Sequence, residues 1–172
     1  PSKFAASYAS GRIPVRISHF GTGRNRIQWD TPVDRVDYRD LLPVCAEGLR
    51  ERVHPHVFVA PTMFKEMCAA APSKVVPLTR ASFPPLRLPP LAPPGSKAGG
   101  GAVGGVGHLS RAVGPALNPY LPELCVQIAK KAFDGRLRDP VSNLLQLLEE
   151  NGGPEAYTAI KKKVPTYTSV RL

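Results

Sequence analysis

The chain has 172 residues, 42% of them hydrophobic, and a formal net charge of +10 at pH 7. That length fits one domain better than two, and no apolar run approaches the roughly 20 residues needed to cross a bilayer, so a soluble, intracellular protein with no membrane partner is expected. The charge is uneven: residues 1–29 carry five basic groups and no acid, residues 67–122 again five and none, and residues 30–66 seven acids against five bases. A surface of this kind favours a polyanionic partner, and charge alone does not choose which.

In "RIPVRISHFGTGRNRIQW" the apolar residues Ile13, Val15 and Ile17 alternate with polar ones, as do Ile27 and Trp29, with Gly21 and Gly23 between the runs. Period-two patterning around a glycine loop predicts a β-hairpin whose apolar side must dock on a larger body. In "LLPVCAEGLRERV" the helical spacing puts Leu42, Cys45, Leu49 and Val53 on one face and turns Arg50, Glu51 and Arg52 away. Pro61 is a natural first-turn residue for a second helix with Met63, Phe64, Met67 and Cys68 as its stripe, which leaves "HPHVFVA" as the connection.

Residues 83–107, "FPPLRLPPLAPPGSKAGGGAVGGVG", contain 13 prolines and glycines in 25 positions, a composition that predicts no regular helix or strand. Helical spacing returns weakly at Leu109, Val113, Ala116 and Leu117, then clearly at Leu121, Leu124, Cys125, Ile128, Ala132 and Phe133. Asp139 and Pro140 read as N-cap and first turn of a helix carrying Leu144, Leu145, Leu147 and Leu148, stopped by "NGG". A last helix opens at Pro154, carries Tyr157 and Ile160, and ends before Pro165.

These elements predict an all-α fold, a short helical solenoid with a small N-terminal β-hairpin and an irregular Pro/Gly-rich interruption. A hairpin and two helices, below about 80 residues without staples, make a poor independent domain, so the stretch is expected to interrupt a single domain spanning 1–172. Within it, residues 1–30 form the N-terminal arm and hairpin, 34–78 the first helices, 80–107 the low-complexity interruption and 108–165 the C-terminal helices.

Cys45, Cys68 and Cys125 each lie in an apolar run of helical spacing and read as buried free thiols. A metal site from Cys45, His54, His56 and Cys68 is the alternative, without a Cys-x-x-Cys or helical His-x-x-x-His pair to support it. "GGGAVG" spells a dinucleotide-loop pattern, but a proline run stands where a strand must precede it. No P-loop, nucleophile elbow or metalloprotease pair is present, so no enzyme activity, cofactor or small-molecule substrate is expected. "RLPPLAP" places Arg87, Pro90 and Pro93 as an SH3-type ligand would.

The candidate partner-binding residues are the basic ones: Arg16, Arg24 and Arg26 on the hairpin, Lys130 and Lys131 on the fourth helix, and Lys161, Lys162 and Lys163 closing the last helix. Three consecutive helical residues span about 200 degrees, so at least one of these lysines points outward. A nucleic-acid-binding module is the second reading; no motif or aromatic interleaving supports it.

The runs "FAASYASGRIPVRISHFGTGRNRIQWD", "CAEGLRERVHPHVFV" and "GGPEAYTAIKKKVPTYTS" resemble the parkin co-regulated protein family, closest to its PACRG-like branch. The resemblance covers residues 3–78 and 113–169, with Trp29 and the run Val164 to Tyr167 its most specific parts, and it breaks across the Pro/Gly-rich stretch. It implies an armadillo-type or HEAT-type fold and a non-catalytic, microtubule-associated structural role. The implied setting is the cytoskeleton of a cilium, at the inner junction of axonemal doublet microtubules or at a basal body, with α/β-tubulin and neighbouring axonemal proteins as partners.

Overall fold

The computed structural model describes residues 2–20, 24–82, 102–132 and 138–169. In chain order these form α1 (Lys3–Ala9), β1 (Val15–Phe20), β2 (Arg24–Trp29), α2 (Tyr38–Gly48), α3 (His56–Ala70), α4 (Pro72–Val75), α5 (Thr79–Ser82), α6 (Ala102–Val113), α7 (Leu121–Ala132), α8 (Arg138–Gly152) and α9 (Pro154–Lys163). Short 3₁₀ segments run over Val76–Leu78 and Gly114–Tyr120. The described residues are mostly helical, with one two-stranded antiparallel hairpin.

The hairpin follows the alternation in the sequence. Val15 lies across from Trp29 and Ile17 across from Ile27, so one face carries all four apolar side chains. That face packs on the helical core, and the indole Nε1 of Trp29 donates to Glu66 Oε2 of α3 at 2.6 Å. Ahead of it lies α1, a helix the alternation did not signal. Ser2 caps it by accepting from the Ala5 amide at 3.0 Å, and its buried Phe4 packs it on α2 and α3.

Two helix boundaries differ from the sequence reading. α2 is capped by Asp37, which accepts from the Arg39 amide at 2.9 Å, and buries Leu42 and Cys45, but it ends at Gly48. Leu49 is its C-cap and is buried; Val53 lies beyond the helix and is 68% exposed, so the expected face stops one turn early. α3 begins at His56, not Pro61, and takes in most of the expected connection. Pro61 therefore sits inside the helix, where its missing N–H costs about 3 kcal/mol. Val59, Met63, Phe64 and Met67 are fully buried in the same helix, at about 1.5–3 kcal/mol each, which outweighs that cost.

The larger correction concerns residues 80–107. Residues 80–82 belong to α5 and residues 102–107 to α6, so both ends of the expected irregular stretch are helical; residues 83–101 lie outside the described residues. Glycines 104, 105 and 107 each cost a helix about 1 kcal/mol relative to alanine. Against this, Val106 and Leu109 are fully buried and Val113 nearly so, and α6 packs on α3 and α8. Gly105 also leaves room for Leu49: a Cβ there would stand 2.4 Å from Leu49 Cδ1, so that buried side chain would have to shift.

The C-terminal helices follow their periodicity. Leu121, Leu124, Cys125 and Ile128 of α7 are buried, while Phe133 lies outside the described residues. α8 starts two residues early, at Arg138, which places Asp139 in the first turn rather than at the cap, still favourable to the helix dipole. Gly153, with φ at +74°, supplies the left-handed turn between α8 and α9 that "NGG" predicted. α9 packs on α7 and α8. One buried cluster runs from Phe4 to Tyr167 and draws on helices from both sides of the Pro/Gly-rich stretch.

If burial holds α6 in place, the amides of Val106 to Val113 exchange slowly in the intact chain. Gly105→Val then removes that protection and lowers stability by about 1–3 kcal/mol in a denaturant titration. Coil-like exchange of these amides in the parent chain would contradict the assignment.

Candidate partner-binding surfaces

The basic residues singled out from sequence divide by environment. Arg16 is exposed but pairs with Asp30 across the hairpin, Nε to Oδ1 at 2.8 Å, so it is partly neutralised within the chain. Arg26 is exposed, two residues along β2 from Gln28, the cross-strand partner of Arg16. Arg24 pairs in register with Phe20, and its side chain lies outside the described residues. Lys130 is exposed on α7; the side chain of Lys131, and the whole of Arg87, Pro90 and Pro93, lie outside the described residues.

The three lysines closing α9 play different parts. Lys161 is exposed, and its Nζ donates to the Tyr167 carbonyl at 2.7 Å. Lys162 and Lys163 are exposed and form no ion pair among the described residues. The helix therefore presents two free cations at its C-terminal end, where the dipole already favours positive charge.

What fixes that end is a contact the sequence reading did not anticipate. Glu149 of α8 is 2% exposed, and its carboxylate accepts from the Tyr167 hydroxyl at 2.5 Å and from the Ser169 hydroxyl. The segment after α9 is thereby folded back and pinned at two points, with Lys161 tying the same tyrosine through its carbonyl. The signal was present in α8: Glu149 stands four residues after Leu145 and eight after Val141, on the buried stripe, where a carboxylate needs a donor.

Burial, then the hydrogen bond to Glu149 and its negative charge, push the Tyr167 phenol well above its ordinary range. Tyr38, whose hydroxyl donates to the Met67 carbonyl at 3.0 Å, is pushed up to about 12 by burial first and then by Cys68 and Asp34. Both stay protonated in the fold. A raised folded value means that the stability these phenols contribute is complete below about pH 10 and is lost as pH rises past it.

The thiols are free and buried. Burial pushes Cys68 up to about 12 and Cys125 up to about 11, and pushes Cys45 higher, with Cys68 adding to it. Neutral thiols of this kind are poor nucleophiles and poor metal ligands. His54 is exposed and stacks on Phe58, while His56 packs edge-on against Phe4 and Tyr8 with Glu51 at 3.8 Å. The alternative metal site from Cys45, His54, His56 and Cys68 is not assembled, and no group of three or more candidate ligands forms among the described residues. No described helix is long and apolar enough to cross a membrane.

Comparison with known proteins decides the family. The family model described as Parkin co-regulated protein matches residues 2–169. The chain belongs to that family. The mouse Parkin coregulated gene protein homolog is 28% identical over 190 residues, an alignment that takes in the whole of this chain and 78% of the mouse protein. The bounds of the family match take in both sides of the Pro/Gly-rich stretch.

Removing the Tyr167 hydroxyl tests the pinning of the C-terminal segment. Tyr167→Phe is expected to cost about 1.5–3 kcal/mol at neutral pH, the range for a hydrogen bond to a charged group. The variant should also lose less stability than the parent above about pH 10, since one late-ionising phenol is gone. Equal stability of the two chains at neutral pH would show that the Glu149 contact contributes nothing.

Proposed function

We propose that this member of the Parkin co-regulated family is a non-catalytic, microtubule-associated structural protein, an armadillo-like helical body that binds the acidic surface of α/β-tubulin. Its setting in this reading is a ciliary axoneme or basal body, beside other inner-junction proteins. The observation that carries the proposal is the end of α9, where Lys162 and Lys163 stand exposed and unpaired on a helix anchored by the Lys161, Tyr167 and Glu149 contacts. The backbone that carries these cations is anchored, so binding has to order their side chains but not the helix end. Family membership and the net charge of +10 support the same reading. The pairings α2 with α3, α6 with α8 and α7 with α9 support the stacked-helix part of it.

Co-sedimentation with microtubules tests it. Reversing Lys162 and Lys163 to glutamate is expected to weaken pelleting roughly three- to thirtyfold, and the gap should narrow with added salt as screening removes the lysine contribution. Undiminished pelleting at low salt would move the interface elsewhere. Tight duplex or single-stranded nucleic-acid binding at matched salt, with no microtubule pelleting, would replace the proposal with the nucleic-acid reading.

A further inference from the structure

A second cationic surface lies away from α9, where α3 packs on α6. Lys65 on α3 and Arg111 on α6 are exposed, and His108, three residues before Arg111, is half-buried between them. Residues three apart on a helix are neighbours about 5–6 Å apart at Cβ, so His108 and Arg111 share one face. Lys65 joins that face because α3 packs on α6, and burial first, then the positive charges of Lys65 and Arg111, push the His108 imidazole below its ordinary value.

Among the described residues no carboxylate pairs with Lys65 or Arg111. Residues 67–122 contain no acid, so neither α6 nor the stretch leading into it can supply one. On α3, Glu66 is engaged by the Trp29 indole. α4 brings only Lys74, and the Gly114–Tyr120 segment only the Tyr120 phenol. On α8, Glu149 is buried under Tyr167 and Ser169, and Glu150 has a partner of its own. Asp139 stands at the far end of α8, eight residues or about 12 Å along the helix from Leu147, which a Cβ at Gly107 would meet.

We infer that the α3–α6 seam, through Lys65, His108 and Arg111, is a binding surface for an acidic, carboxylate-rich polypeptide segment. Carboxylates two residues apart on an extended chain are about 6.6 Å apart, close to the spacing of the seam's helical neighbours. Neither α3 nor α6 presents an exposed aromatic ring on which a base could stack, which favours a peptide over nucleic acid. The inference takes its partner chemistry from the proposed function but names a different surface, distinct from Lys162 and Lys163.

The test uses the full chain and a short oligo-glutamate peptide, without microtubules, so that a failed pelleting assay and a failed seam are told apart. Peptide addition is expected to shift the His108 imidazole resonances and move their titration to higher pH, because a carboxylate reverses the sign of the field there. Lys65→Glu with Arg111→Glu should weaken peptide binding at least roughly tenfold, and the milder Lys65→Gln with Arg111→Gln by less, at unchanged thermal midpoint. Lys162→Glu with Lys163→Glu should change it by less than about threefold. Equal peptide binding by the parent and the seam variants, an unmoved His108, or tighter binding of a short DNA duplex through the same residues would overturn the inference.

Discussion

The burial of α6 against α3 and α8 is the constraint on which the rest of the fold depends. Gly105 assists it, because a Cβ there would meet Leu49 Cδ1 and force that side chain to shift. Through the burial of Val106, Leu109 and Val113, α6 lies against α3 on one side and α8 on the other. The hairpin, α2 and α3 are too small a body to be stable alone, and α6 supplies the surface they lack. The helix that reads as punctuation in the sequence, because of its glycines, is the means by which the two flanks share a core.

A second constraint acts at the C-terminus, and it is polar. Burying Glu149 is costly unless its oxygens find donors, and Tyr167 and Ser169 provide them from beyond the end of α9. The consequence reaches the surface, since the returning segment engages Lys161 through the Tyr167 carbonyl while Lys162 and Lys163 stand exposed without an ion pair among the described residues. Core chemistry thus sets which cations a partner can meet. The seam at Lys65, His108 and Arg111 has a similar origin, because the packing of α6 that completes the core also brings cations from two helices together.

Much of this was legible in the sequence where one periodicity dominated. The alternation of Val15, Ile17, Ile27 and Trp29 fixed the hairpin and its inner face, and the spacing of Leu121, Leu124, Cys125 and Ile128 fixed α7. The family resemblance was legible too, from runs at both ends of the chain. What escaped were places where tertiary burial overrode a local rule: Pro61 inside α3, the glycines of α6, and the early end of α2 that strands Val53 in solvent. At the candidate surfaces, sequence identified the basic residues but not their partners. Arg16 is engaged by Asp30 and Lys161 by a carbonyl, pairings that depend on strand register and on a chain reversal no local pattern encodes.

The shared core makes the unfolding of the two flanks one event, and a single denaturant titration read at both ends tests this most directly. Trp29, the one tryptophan, reports on the hairpin and its dock on α3, and a fluorine resonance from fluorotyrosine at Tyr167 reports on the α8–α9 end. Coincident midpoints for the two probes are the predicted result. Two separated transitions, with Trp29 released while Tyr167 remains native or the reverse, would show that α6 does not join the flanks and would contradict the account.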